Sequence, residues 1–181
     1  IKPDAIFHFA AQSDIGQSFR NPQKDISINF LATQSLLEQV KVLKVKKIIF
    51  ASSAAVYAES KKMPIEEEDS KEPISLYGVS KLCSEYLLRN YRKIHGLSYV
   101  SLRFANVYGP RQDMSAEGGV VAILIDKILK KDRATIFGDG TQTRDFIYVS
   151  DVVDACILSL KDNVIGEFNI GIAKETSILD L

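Results

Sequence analysis

Apolar residues recur along this chain in two alternating patterns. Short apolar-rich runs at 5–10 (AIFHFA), 46–52 (KKIIFAS) and 98–105 (SYVSLRFA) read as strands covered on both faces, and 166–170 reads as a last strand. Longer stretches at 22–44, 76–95 and 118–131 repeat apolar residues at helical spacing, and another helix runs from a Ser150 cap to about Leu160. Pro22 suits a first helical turn, Gly96 is a stop signal, and Gly118-Gly119 opens the third stretch. Shorter strands are predicted at 134–137 and 146–149, with a turn at Gly138-Asp139-Gly140. Residues 59–75, charged and broken by Pro64 and Pro73, read as a surface loop. Strands alternating with helices predict crossover connections, hence an α/β fold with a doubly wound parallel sheet. The irregular segment 106–117, with Gly109-Pro110, reads as a junction to a smaller substrate-facing part.

Composition narrows the function classes. Twenty-three basic residues balance 23 acidic ones, so no basic field draws the chain to nucleic acid. The longest apolar run, 120–125, is far short of the ~20 residues of a membrane helix. Cys83 and Cys156 stand far apart and form no metal-ligand pattern, which fits a reducing cytoplasm. The chain opens at Ile1, without Met, almost directly into a strand, and closes at Leu181 in what reads as the start of a helix. Both ends therefore read as internal to a longer protein.

Several residue groups at strand ends could carry chemistry. Tyr77 and Lys81, four apart at a helix start, share one face. A phenol ionises near pH ~10, and lowering that by three units takes ~4 kcal/mol, which an ammonium and a cofactor cation could supply. The same spacing also occurs in any amphipathic helix carrying a surface lysine. Ser52 and Ser53 follow the second strand, where open parallel sheets bind ligands. They could bond a substrate alcohol or merely form a turn. Arg144 could clamp a phosphate, or pair with Asp139 or Asp145. His8, ahead of the small residues Ala10 and Ala11, reads as a packed histidine rather than a catalyst.

Taken in order, HFAAQ at 8–12, Asn29, SSAAVY at 52–57, YGVSK at 77–81, LRFANVYGPRQ at 102–112, GGVVAI at 118–123 and GDGTQTRDFIYVSD at 138–151 span nearly the whole chain. With these motifs the sequence resembles the extended short-chain dehydrogenase/reductase family, specifically its nucleotide-sugar epimerases and dehydratases. The resemblance implies a Rossmann-like fold, incomplete at both ends. Residues 1–112 would be a partial NAD-binding domain, and 113–181 a mixed segment serving the substrate region and the sheet. It implies Tyr77 as catalytic base, Lys81 as its modulator and ribose ligand, and Ser53 as the hydroxyl bridging to the sugar. Phe9, Ala10, Ala11, Asn29, Ser52, Tyr77, Lys81 and Phe104 would contact NAD. Ser53, Asn106, Val120, Thr135, Phe137 and Arg144 would contact a UDP-sugar.

The implied activity is interconversion of UDP-glucose and UDP-galactose by transient oxidation at C4. A 4-keto reductase, a UDP-glucuronate decarboxylase, a dehydratase and a non-catalytic dinucleotide-binding sensor or scaffold are the alternatives. Ala54 and Ala55 stand where 4,6-dehydratases carry an acid pair, and Ala58 where the family has Gly. The family's glycine-rich turn and acidic ribose ligand precede the first motif and are absent from this chain, so the 181 residues alone are expected to be inactive. A homodimer is expected through helices 22–44 and 76–95, whose apolar positions exceed one stripe, with Leu88 at the centre of the interface.

Overall fold

A computed structural model describes residues 2–57, 63–114 and 119–181. Ile1, Ala58 and Gly118, named above, lie outside the described residues. In chain order the elements are β1 (Ala5–His8), α1 (Ile15–Arg20), α2 (Pro22–Asp25), a π-helical turn (Ile26–Leu31), α3 (Ala32–Leu43), β2 (Lys47–Ser53), a 3-10 turn (Ala54–Val56), α4 (Leu76–His95), β3 (Ser98–Phe104), β4 (Asn106–Tyr108), α5 (Val120–Leu129), β5 (Thr143–Arg144), β6 (Phe146–Tyr148), α6 (Val149–Leu158), β7 (Gly166–Ile170) and β8 (Thr176–Ser177).

The main sheet has the order β1-β2-β3-β7, and all its pairings are parallel. Ile48 lies beside Tyr99 and Ile49 beside Val100, so alternate residues of adjacent strands share a face. Ile48, Phe50 and Tyr99 pack under Leu37 and Val40 of α3 and Leu88 of α4. Ile49, Val100 and Leu102 pack against Ile147 of β6 and against Val152 and Cys156 of α6. Both faces are covered, as continuous apolar strands require.

The helix expected over 22–44 forms, but it widens by a π turn in its middle. Asn21 caps it by accepting from Lys24 N at 3.1 Å, with Pro22 in the first turn. In the widened turn the Asn29 carbonyl accepts instead from the hydroxyls of Thr33 (2.6 Å) and Ser84 (3.1 Å). Such turns commonly mark functional positions. Helix α4 starts where Ser75 accepts from Gly78 N at 3.0 Å and stops at Gly96, whose φ of 70° suits a residue without Cβ.

Several expectations change. Residues 134–137 form no strand: no neighbouring strand offers them hydrogen bonds, and Phe137 is 84% exposed. Instead β4 and β6 pair in parallel, and β5 pairs antiparallel with β8. The end of the chain is this β8 followed by a turn, in which Asp180 N donates to Ser177 Oγ, rather than the start of a helix. Helix α6 begins at Val149 with no side-chain cap, so Ser150 lies inside its first turn. No helix among the described residues is long and apolar enough to cross a membrane.

Leu88 is also relocated. It is 0% exposed and faces the sheet, whereas Tyr86, two residues earlier, is 51% exposed. We expect Leu88→Ala to cost about 2–5 kcal/mol in urea unfolding, because the well-packed surroundings cannot collapse onto the void. Tyr86→Ala, outside this core, should cost less than Leu88→Ala in the same measurement.

Candidate active site

The carboxyl ends of β1, β2 and β3 meet the first turn of α4, and the approach is close. A Cβ on Gly78 would stand 2.1 Å from the Ala55 carbonyl oxygen and 2.9 Å from Pro73 Cβ. Only glycine lets the helix settle there. Across this contact, Ser53 accepts from Ala55 N at 3.1 Å as cap of the 3-10 turn, and its hydroxyl lies near enough to the Tyr77 phenol to favour its ionised form. Ser53 is thus both the turn residue and the neighbour of the phenol.

Lys81 lies one helical turn after Tyr77 and is almost fully buried. Its Nζ donates to the Ala51 carbonyl at 2.8 Å and sits 4.9 Å from the Phe50 ring centre and 5.7 Å from that of Tyr77. Burial lowers the Lys81 ammonium from 10.5 to about 8, against the opposing pull of the Asp25 carboxylate. Burial pushes the Tyr77 phenol up; the Ser53 hydroxyl works against that and the Asp25 charge adds to it. His8 is pushed down by burial and by Lys81, and its Nε2 bonds Thr33 Oγ1 at 2.8 Å. It is a packed, neutral histidine.

A cavity of about 1210 Å³ opens above these groups. Of the residues expected at the site, Phe9, Ala11, Ser52, Ser53, Tyr77, Lys81, Phe104, Asn106, Val120, Thr135, Phe137 and Arg144 line it. The Phe9 and Phe104 rings stand edge to face, 6.4 Å between centres. Ala10 and Asn29 do not reach the cavity. Asn29 is buried behind its wall, where its Oδ1 accepts from Gln12 N at 2.9 Å and its Nδ2 donates to the Gln12 carbonyl at 2.9 Å. Arg144 makes neither ion pair considered for it; its Nη1 donates to the Thr143 carbonyl at 2.7 Å.

The structure adds a polar network that the motifs did not single out. Arg103 holds Glu85 with two bonds (3.0 and 2.8 Å), both side chains being buried. Ser52 Oγ donates to the same carboxylate at 2.6 Å. Arg103 Nη1 continues to Tyr57 Oη (2.7 Å), and Tyr57 Oη to Asn169 Oδ1 (2.7 Å). The available signal was Glu85, a charge four residues beyond Lys81 on the same buried helical face. Among the described residues no group of His, Cys, Asp and Glu could hold a metal ion.

A phenol, an ammonium and a hydroxyl at the floor of a cavity of this size suit proton transfer to a bound alcohol. The family comparison decides the relationship: the model for the NAD dependent epimerase/dehydratase family matches residues 1–171. The chain belongs to that family. A UDP-glucose 4-epimerase of Mycolicibacterium smegmatis is 38% identical over 99% of this chain. The crystal structure of a Thermotoga maritima UDP-glucose 4-epimerase with UDP-glucose superposes with a TM-score of 0.95 at 41% identity, over 98% of this chain. That of a Thermus thermophilus UDP-glucose 4-epimerase with NAD gives 0.91 at 37% identity, over 97%. The chain spans 58% of the length of each.

For this member of the epimerase/dehydratase family the Lys81 environment makes a thermodynamic prediction. An unfolded lysine keeps its proton to about 10.5, whereas folded Lys81 loses it at about 8. Between these values the unfolded chain binds more protons, so stability rises with pH, by roughly 3 kcal/mol over the window. Below about pH 8 the cost of burying the ammonium is present in full. Urea unfolding from pH 7 to 10.5 should show this rise, and Lys81→Met should lack it.

Proposed function

We propose that the whole protein is an NAD-dependent nucleotide-sugar 4-epimerase that interconverts UDP-glucose and UDP-galactose in the cytoplasm. The observation that carries this reading is the placement of Ser53, Tyr77 and Lys81 on the floor of one cavity, with alanines at 54 and 55. An acid–base pair for removing water is absent from those two positions. The cavity exceeds the ~300–1,000 Å³ of ordinary small-ligand sites, which fits two nucleotides better than one. The two free thiols, Cys83 and Cys156, fit a reducing compartment.

NAD suits the residues present. Small side chains at Ala11, Ala51 and Ala105 leave room for a flat ring beside Phe9 and Phe104, and the Lys81 ammonium offers donors to sugar hydroxyls. These residues would hold the nicotinamide end, and NAD when bound supplies hydride acceptance and return at C4 of the sugar. The chain's own residues handle the proton. Tyr77 takes it from the O4 hydroxyl and gives it back, Ser53 orients that hydroxyl, and Lys81 stabilises the phenolate by its charge. Asn106 and Arg144 face the cavity where a diphosphate needs donors, while Val120, Thr135 and Phe137 line the part left for the base. In this reading residues 1–112 belong to the cofactor-binding part, and 113–181 serve both the substrate region and the sheet.

With whole protein we expect UDP-galactose from UDP-glucose without added reductant and with no net NADH, followed by chromatography of the sugar nucleotides. Tyr77→Phe should abolish turnover while leaving NAD bound. Ser53→Ala should lose on the order of 10²–10⁴-fold. A stable 4-keto-6-deoxy product, carbon dioxide, or normal turnover by Tyr77→Phe would each overturn the reading.

The protein is also proposed to be a homodimer through the helices at 22–44 and 76–95. Ile26, Leu31, Val79 and Tyr86 support this, being large apolar side chains of those helices that stay exposed. An isologous interface meets each substitution twice. Tyr86→Asp should therefore shift sedimentation at micromolar concentration from dimer to monomer; a dimer as tight as the parent would count against this surface.

A further inference from the structure

Asp25 ends α2 and is 0% exposed. Its Oδ1 accepts from Gln12 Nε2 at 2.9 Å and from Asn29 Nδ2 at 3.1 Å. Its Oδ2, equally buried, has no hydrogen-bond partner. An asparagine could offer one oxygen to the same two donors, so those bonds do not require a carboxylate. A buried charge that its hydrogen bonds do not need is costly unless an opposite charge faces it.

The cation beside this bond network is Lys81, which follows Ser80 in α4, although the two charged groups form no direct ion pair. The same Asn29 amide lies 3.3 Å from Ser80 Oγ, which donates to the Tyr77 carbonyl at 2.9 Å, so one short chain of bonds ties Asp25 to the first turn of α4. The other charged and titratable groups packed around Lys81 leave it without a competing anion. From β1 comes the neutral ring of His8. From α4 and β3 come Glu85 and Arg103, which neutralise each other. In the α1 segment, Asp14 pairs with Arg20. From β2 there is the Ala51 carbonyl.

We propose that Asp25 is the buried counter-charge of Lys81 and a positioning residue for the Tyr77–Lys81 pair. Its carboxylate keeps Lys81 an ammonium within an apolar wall at neutral pH, and through Asn29 and Ser80 it fixes the turn that carries Tyr77. The same negative charge opposes ionisation of the phenol, in keeping with the directions of the Lys81 and Tyr77 shifts. The assignment of a catalytic role rests on the 4-epimerase reading; the pairing of the two charges does not.

The test is a titration of Lys81 by NMR in whole protein labelled with ¹³C-lysine, its Cε signal assigned by loss in Lys81→Met. The Lys81 midpoint should fall by about one pH unit in Asp25→Asn, a tenfold loss of proton affinity. The alkaline limb of kcat/KM should move down with it. A merely structural role would lower the amplitude and leave both midpoints in place, and an unmoved Lys81 midpoint overturns the proposal. If the midpoint moves but no sugar nucleotide is turned over, the pairing stands and the 4-epimerase reading falls. Should Asp25→Asn not fold, the Lys81→Met background decides. There Asp25 faces no cation, so adding Asp25→Asn should raise the urea midpoint, opposite in sign to its effect on the parent. A loss in both backgrounds overturns the proposal.

Discussion

The site depends on how closely the first turn of α4 approaches the end of β2. Gly78 and the Ala55 carbonyl meet with no room for a methyl group between them. That contact sets Tyr77 beside Ser53 and draws Lys81 under the same wall, one helical turn further on. A larger residue at 78 would move the helix as a body, because its N-terminus is also pinned by the Ser75 cap. Proton transfer depends on hydrogen-bond distance, so a displacement of a few tenths of an ångström at Gly78 bears directly on chemistry.

Behind that contact lies a layer of buried polar groups. Arg103 and Glu85 form a buried ion pair, and Ser52, Tyr57 and Asn169 satisfy its remaining valences. Asn169 also donates through Nδ2 to the Ile65 carbonyl and through its backbone N–H to the Glu67 carboxylate, so the loop before α4 is tied to β7. Such a network contributes little net stability compared with apolar packing, but it admits one arrangement of its members. Here the arrangement holds the ends of β2, β3 and β7 in register where a ligand would bind. The apolar clusters on the two faces of the sheet hold the fold together; the polar layer orients the site.

Electrostatically the site is under tension. Burial disfavours both charges that proton transfer needs, the Lys81 ammonium and the Tyr77 phenolate. Ser53 relieves part of this for the phenol and Asp25 part of it for the ammonium. The shifts move the two groups apart, the phenol above its ordinary value and the ammonium down to about 8, so the phenol keeps its proton more tightly than the lysine does.

Much of this was readable along the chain. The parallel pairing of the main sheet follows from short strands separated by helices, because crossover connections join such strands and cover both faces. Most of the residues expected at the site line one cavity, since they sit at strand ends and on one face of a helix start, positions that local spacing defines. What spacing could not reveal depends on distant partners. Residues 134–137 have the composition of a strand but no strand beside them, whereas 106–108 and 146–148 pair because the fold brings them together. Leu88 and Tyr86 are both apolar in the sequence, and only the packing of α4 on the sheet decides which is core and which is surface. Asn29 belongs to a motif, yet the π turn and the Gln12 backbone turn it away from the cavity. Asp25 reads as one more polar residue in a first helical turn. Only the fold buries it with one oxygen unpartnered and ties it through Asn29 to Ser80, because the energy of a charge is set by its surroundings in space and not by its neighbours in sequence.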